Sequence, residues 1–430
     1  MVINVVALAA IVMLILLFLK VPVFASVLSG AFVYFAMTPN VPTQIFAQRV
    51  ISGVESIPLL AVPFFVCAGV FMNTSGVTKR VMNFAEILTG RMWGGLAQVN
   101  ILLSTLMGGL SGSNLADAAM QSKMLVPEME KKGFSTEFSS VVTATSAMIT
   151  PLIPPGIAMI IYGSIANVSI GKLFMAGIGP GLLLCVSMMI LVSVISKKRN
   201  YKVTREKSIT VKEFMVALRG AILPLCLPVI IIGGIRLGIF TPTEAGSVAI
   251  VYSLMLGVLY REMKFSDVIN GLKETVTTTA AIMLIVGAAS AFAWILTKER
   301  IPQQITEMIV ANISNKYIFL MIVNVFLLVV GMFIEGNAAM IVLVPLLAPV
   351  AATFGINEIQ FAMIFIFNMA VGALSPPMGT LMFVTCAITK CKIKDFIKEA
   401  VPFYVLLAIC LMLLTFVPIF SVGIVDLLYK

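Results

Sequence analysis

Residues 138–171 read FSSVVTATSAMITPLIPPGIAMIIYGSIANVSIG, 34 residues without a charge and with Pro154-Pro155 near the middle. Residues 359–389 read IQFAMIFIFNMAVGALSPPMGTLMFVTCAIT, another 31 uncharged residues, with Pro376-Pro377 in the same place. As one continuous helix the first stretch would run roughly 51 Å, well beyond a hydrocarbon core of ~30 Å. The proline pairs resolve that excess, because two adjacent prolines end helical hydrogen bonding. Each stretch is therefore expected to be a membrane helix broken near its midpoint. The two pairs stand 222 residues apart, and at that offset Lys172 maps to Lys394, Phe174 to Phe396 and Pro180 to Pro402. Upstream, Ser111-Gly112-Ser113-Asn114 has a counterpart in Glu335-Gly336-Asn337, shifted by about one residue. Each half thus holds a Gly/Asn-rich break followed by a Pro-Pro break. Duplicated interrupted helices point to the binding site of a secondary transporter.

The rest of the chain fits a membrane setting. Hydrophobic residues make up 60% and charged residues 11% of the sequence, against about 25% charged in soluble domains. The windows are long and continuous, unlike the ~10-residue alternations of outer-membrane barrels. No histidine is present, which removes His-bound metals, Ser-His-Asp triads and imidazole relays. The six cysteines lie in or beside apolar windows with no CxxC pair, and read as small buried hydrophobes. A soluble enzyme, a zinc protein and a nucleic-acid binder are excluded. Val2–Leu19 lacks a preceding basic residue and reads as a retained helix.

Charge orients the helices. With Met92–Val126 and Tyr317–Thr353 as re-entrant hairpins, ten other segments cross fully and most of the 29 Lys and Arg fall on one side. The positive-inside rule makes that side cytoplasmic and leaves both termini periplasmic. Lys123, Lys131 and Lys132 lie inside, whereas the equivalent loop after the second hairpin has no basic residue. The hairpins then open to opposite faces, so the repeat is inverted. The fold expected is all-α and polytopic, with about ten full crossings, two re-entrant hairpins and two broken helices. Its division is 1–91 (scaffold helices and an amphipathic arm), 92–171 (first hairpin and broken helix, a transport unit), 172–316 (scaffold, basic connector and second arm), 317–389 (second hairpin and broken helix, a transport unit) and 390–430 (a C-terminal helix). The basic run from Lys197 to Lys212 reads as a cytoplasmic connector, or as a contact for anionic lipid. Thr78–Trp93 and Lys298–Lys316 read as interfacial amphipathic helices.

Free oxygens at the breaks are the candidate chemistry. A helical proline cannot donate to the carbonyl four residues back. Pro154 and Pro155 would free the carbonyls of Thr150 and Pro151; Pro376 and Pro377 would free those of Gly372 and Ala373. Ser111, Ser113 and Asn114 add neutral oxygens at the first tip, and Glu335, Gly336, Asn337 and Ser375 belong to the second set. All-oxygen sets suit hard cations such as Na⁺, although a lone proline pair is often only a kink whose free groups neighbouring helices satisfy. Half-helix N-termini at the same breaks favour an anionic group. Asp117, Gly156, Gly379 and Thr380 are the candidate substrate-binding residues. Arg236 and Glu244 flank a predicted outer turn and read as structural.

These motifs resemble the large membrane subunit of tripartite ATP-independent periplasmic (TRAP) transporters, within the ion transporter superfamily. The resemblance rests on Gly108-Gly109-Leu110-Ser111-Gly112-Ser113-Asn114-Leu115-Ala116-Asp117-Ala118-Ala119, Ile153-Pro154-Pro155, Ser169–Phe174 and Gly238–Gly246 in the first part of the chain. Gly331–Ala339 and Ser375-Pro376-Pro377 carry it in the second. Many relatives have Thr where Ser375 stands, and Ser keeps the hydroxyl. The resemblance implies Na⁺-driven uptake of organic acids by an elevator mechanism, with Na⁺ as coupling ion and no organic cofactor. It also implies a small four-helix membrane subunit, a periplasmic substrate-binding protein and a bacterial inner membrane. Ile334-Glu335-Gly336-Asn337 is reminiscent of the sialic-acid branch rather than the C4-dicarboxylate branch. The competing reading is an ion or organic-anion channel, since re-entrant hairpins also build filters. A membrane enzyme is remote: Gly109-Leu110-Ser111-Gly112-Ser113 fails GxSxG at its last position, and Gly171-Lys172-Leu173 fails the P-loop.

Overall fold

A computed structural model describes residues 5–19, 21–204 and 209–429, except the side chains of Leu110 and Ser111. The basic connector is therefore described only in part. All regular structure among the described residues is helical. The chain opens with α1 (Val5–Phe18), α2 (Val23–Met37), α3 (Thr43–Val54), α4 (Ala61–Thr74) and α5 (Val77–Thr89). The first hairpin is α6 (Gly95–Ser111) and α7 (Asn114–Met124), and a short α8 (Val126–Lys131) follows. The first broken helix is α9 (Thr136–Ser146) and α10 (Ile157–Ala166). Next come α11 (Ile170–Lys198), α12 (Val211–Arg236), α13 (Pro242–Tyr260), α14 (Phe265–Lys298) and α15 (Ile301–Asn312). The second hairpin is α16 (Lys316–Phe333) and α17 (Gly336–Thr353); the second broken helix is α18 (Glu358–Leu374) and α19 (Thr380–Thr389). The segment expected to be a single C-terminal helix holds two, α20 (Ile393–Phe416) and α21 (Ile419–Leu428), because Val417-Pro418 separates them.

Local sequence sets these ends. Before α13, Thr241 Oγ1 accepts from the Glu244 N–H at 3.3 Å and the Glu244 carboxylate accepts from the Thr241 N–H at 2.7 Å. This capping box, with Pro242 in the first turn, gives Glu244 the structural role its position suggested. Arg236 donates to the Leu428 carbonyl, tying α12 to α21. Among the described residues eight helices are long and apolar enough to cross a membrane, and the arms of the second hairpin are two of them. Five of the six cysteines are buried; Cys226 is partly exposed, on the outer helix α12.

The repeats interlock at the centre. α7 packs on α19 and α10 packs on α17, so each hairpin's returning arm lies against the other repeat's second half-helix. Such reciprocity is what an axis relating inverted halves produces. Each hairpin's first arm also crosses its own broken helix at a close approach. A Cβ on Gly108 would lie 3.1 Å from the Thr150 Cα, and one on Gly372 would lie 2.6 Å from the Gly331 Cα. Small residues permit that closeness, and buried amides fix it. Ser146 donates to Asn100 Oδ1 at 2.8 Å, and Asn368 donates to Asn324 Oδ1 at 2.8 Å. From Ile359 to Leu374, α18 is buried throughout, whereas α12, α13 and α14 expose Val229, Val251, Val258 and Val276 outward. The core is thus the paired hairpins and breaks, with outer helices wrapped around them.

Candidate functional site

At the first tip Gly112 takes φ 62°, a left-handed conformation open to glycine, and its N–H donates to the Gly108 carbonyl at 3.1 Å. That reversal ends α6 and starts α7 at Ser113, whose hydroxyl accepts from the Ala116 N–H at 3.4 Å. Asn114 Oδ1 accepts from the Leu115 N–H at 2.9 Å. At the second tip Glu335 is the capping residue, accepting from the Ala338 N–H at 3.1 Å. Asn337 donates its amide N–H to Glu335 Oε1 at 2.9 Å, which leaves its own amide oxygen unused as a donor's partner. The caps Ser113 and Glu335 are 222 residues apart, the same offset as the proline pairs. The tips are thus in register rather than shifted. Ser111 ends α6, and its side chain lies outside the described residues.

Both helices are broken, as expected, and not merely kinked. α9 continues through a 3-10 turn, Ala147–Ile149, and the chain is then unwound until α10 begins at Ile157. α18 ends at Leu374 and α19 begins at Thr380. Both proline pairs lie in these unwound segments, and both are cis. α18 ends first because Ser375, which precedes Pro376, is pushed out of the α region into extended backbone. One expected free carbonyl is corrected: that of Gly372 accepts from the Ser375 N–H at 2.9 Å. The Ser375 hydroxyl in turn donates to the Val371 carbonyl at 2.8 Å. Pro151 and Ala373 carry the more telling carbonyls. A Cβ on Gly156 would come within 2.5 Å of the Pro151 oxygen, and one on Gly379 within 2.8 Å of the Ala373 oxygen. Each break therefore curls its chain around a carbonyl, and only glycine leaves the room.

Tips and breaks meet at a cavity of about 480 Å³. Ser113, Asn114, Pro151, Glu335, Gly336, Asn337, Ala373 and Thr380 line it. Thr150, Gly156, Gly372, Ser375, Gly379 and the four prolines Pro154, Pro155, Pro376 and Pro377 lie outside this lining. So does Asp117, which is 1% exposed. Its carboxylate accepts from Ser104 at 2.8 Å, from Thr150 at 3.1 Å and from Gln121 at 2.8 Å. Asp117 thereby links both arms of the first hairpin to the first break. Sequence reading missed one wall altogether: Thr277, Thr278, Ala281, Ile282 and Ile285 of α14 also line the cavity. Their spacing marks one helix face, but nothing in the repeat points to α14. Glu335 is the charged member of the cavity lining, and neither Lys nor Arg is among the described lining residues.

Residues 10–420 match the model of the tripartite ATP-independent periplasmic transporter, DctM component. The chain is 39% identical over 413 residues to the sialic acid TRAP transporter large permease protein SiaM of Vibrio cholerae, covering 96% of each. It is 35% identical over 397 residues to the C4-dicarboxylate TRAP transporter large permease protein DctM of Pseudomonas aeruginosa, covering 92% of each. The fold is similar to that of the Alcanivorax borkumensis YdaH transporter, with a TM-score of 0.59 at 13% identity over 86% of this chain and 87% of that one. Paired hairpins, paired breaks and a family match across nearly the whole length agree: this multi-pass membrane protein belongs to the DctM-component family of TRAP transporter large permeases.

Proposed function

We propose that the chain is the Na⁺-coupled permease of a complex that imports a small organic acid of the sialic-acid or C4-dicarboxylate type. The observation that carries this reading is the cavity's charge. An anionic cargo beside Glu335 meets like charge, worth ~4 kcal/mol of repulsion at 4 Å and an effective dielectric of 20, and no cationic side chain among the lining residues offsets it. A bound cation reverses the sign. The neutral oxygens of Ser113, Asn114, Asn337 and the carbonyls of Pro151 and Ala373 suit Na⁺, with the half-helix N-termini at Gly156 and Gly379, which no side chain caps, left to the anion. Hairpins and breaks of residues 92–171 and 317–389 form the moving unit, and residues 1–91, 172–316 and 390–430 form the scaffold, in an elevator motion. A small four-helix membrane subunit and a periplasmic binding protein complete the complex in the bacterial inner membrane, with both termini periplasmic. The relatives' names support the cargo class and the partners.

The test is uptake by the reconstituted complex with its binding protein, using a panel of labelled organic acids. Replacing Na⁺ by K⁺ at equal ionic strength should abolish uptake, and labelled cargo should exchange against unlabelled cargo. Robust uptake without Na⁺ under a pH gradient would remove the Na⁺ assignment. Flux without counterflow would turn the reading to a channel.

A further inference from the structure

The cavity has two walls of different origin. One belongs to the hairpin tips and breaks; the other is the face of α14 that carries Thr277, Thr278, Ala281, Ile282 and Ile285. α14 packs against α2, α3 and α4 and also touches α17, so it stands where the outer helices meet the second hairpin. Its hydroxyls are not equivalent. Thr275 donates to the Gly271 carbonyl at 2.7 Å and Thr277 to the Lys273 carbonyl at 2.9 Å. These bonds satisfy both hydroxyls within the helix, as threonines on spanning helices commonly do. Thr278 has no such bond, and its residue is exposed to the cavity it lines. A hydroxyl on a spanning helix that lacks such a bond needs water or a ligand as partner. Thr277 and Thr278 line the same cavity as the tips' own polar groups, so a cargo held by the tips is within reach of that end of the face.

We infer that Thr278, beside Thr277, is a cargo-contacting, specificity-determining residue that acts in one facing state only. The inference rests on the moving-unit reading above: the tips travel with the cargo, whereas α14 stays with the scaffold. Contacts to the tips accompany the cargo through the cycle; contacts to α14 exist only while the cavity stands opposite these threonines.

The experiment uses the intact complex in uniformly oriented proteoliposomes, with labelled sialic acid and labelled succinate as probes and the binding protein held constant. The half-saturating probe concentration is measured from each face of the membrane. Thr278→Val should raise it about tenfold at one face, as expected for one lost hydrogen bond to a charged cargo, and leave the other within twofold. Thr278→Ser should restore the parental value. Asn337→Ala, on the moving side, should shift both faces together. An equal shift at both faces for Thr278→Val, or no shift at either, overturns the inference. A one-sided shift for Asn337→Ala overturns the moving-unit reading instead.

Discussion

Asn337 shows how one side chain is prepared for a cation: its amide N–H is committed to Glu335 Oε1, so its oxygen is held in the cavity wall. Asn337→Ala removes that oxygen and frees Glu335 to move. Asn114→Ala removes an amide oxygen from the first tip. Losing a ligand to a charge costs about 1.5–3 kcal/mol, so the Na⁺ concentration for half-maximal uptake should rise tenfold or more in each variant. Unchanged Na⁺ dependence in both would place the ion sites elsewhere. Asp117 calls for a different measurement, because its three donors, Ser104, Gln121 and Thr150, are all buried. Asp117→Ala takes the acceptor from Ser104 and Thr150 at about 1–3 kcal/mol each, while Gln121 keeps its bond to Ser104, so thermal unfolding in detergent should shift down by several degrees, with Asp117→Asn intermediate. A parental unfolding temperature for Asp117→Ala would show that the network carries no stability. Equivalent positions diverge here: at the repeat offset Asp117 corresponds to Ala339 and Thr150 to Gly372.

At the scale of elements, the crossing of α16 over α18 depends on Gly331 and Gly372. Gly372→Ala places a Cβ 2.6 Å from the Gly331 Cα, which backbone cannot yield cheaply, and should abolish transport. Gly220→Ala lies in α12 with nothing within 4 Å and should be neutral or stabilising by up to about 1 kcal/mol. Equal transport by the two variants would deny the crossing its importance. Breaks and tips were legible in the sequence because each departs from the rules for membrane helices: Pro-Pro at 154 and 376, Gly/Asn clusters at 112 and 336. The unwinding around Gly156 and Gly379 was less so, since a proline pair alone specifies a lost donor and not where the helix ends. The Gly372 carbonyl is the example: one turn of altered backbone hands it to Ser375. Thr277 and Thr278 were invisible for another reason. A threonine run within a long apolar helix reads as back-bonded, and only packing of α14 beside the hairpins brings it to the cavity.

Over the whole molecule, the charge distribution and the moving unit each make a claim about sides. With native cysteines replaced, single cysteines at Lys198 and Asn357 should label from opposite faces, an impermeant maleimide added outside reaching 357 and not 198. The reverse pattern would invert the orientation, and equal labelling would reject the number of crossings. Two hydroxyl pairs test motion itself. Ser140 and Thr389 lie 2.9 Å apart on α9 and α19, both within the proposed moving unit. Ser56 and Ser164 lie 3.2 Å apart, one on the proposed scaffold and one on α10 of the moving unit. Paired cysteines at these sites are close enough to be joined by oxidation or by a short reducible linker. The bridge from 140 to 389 should leave substantial transport, since both ends travel together. The bridge from 56 to 164 should stop transport and release it on reduction. Full transport with the 56–164 bridge formed at high yield would contradict a moving body and leave local hairpin gating as the mechanism.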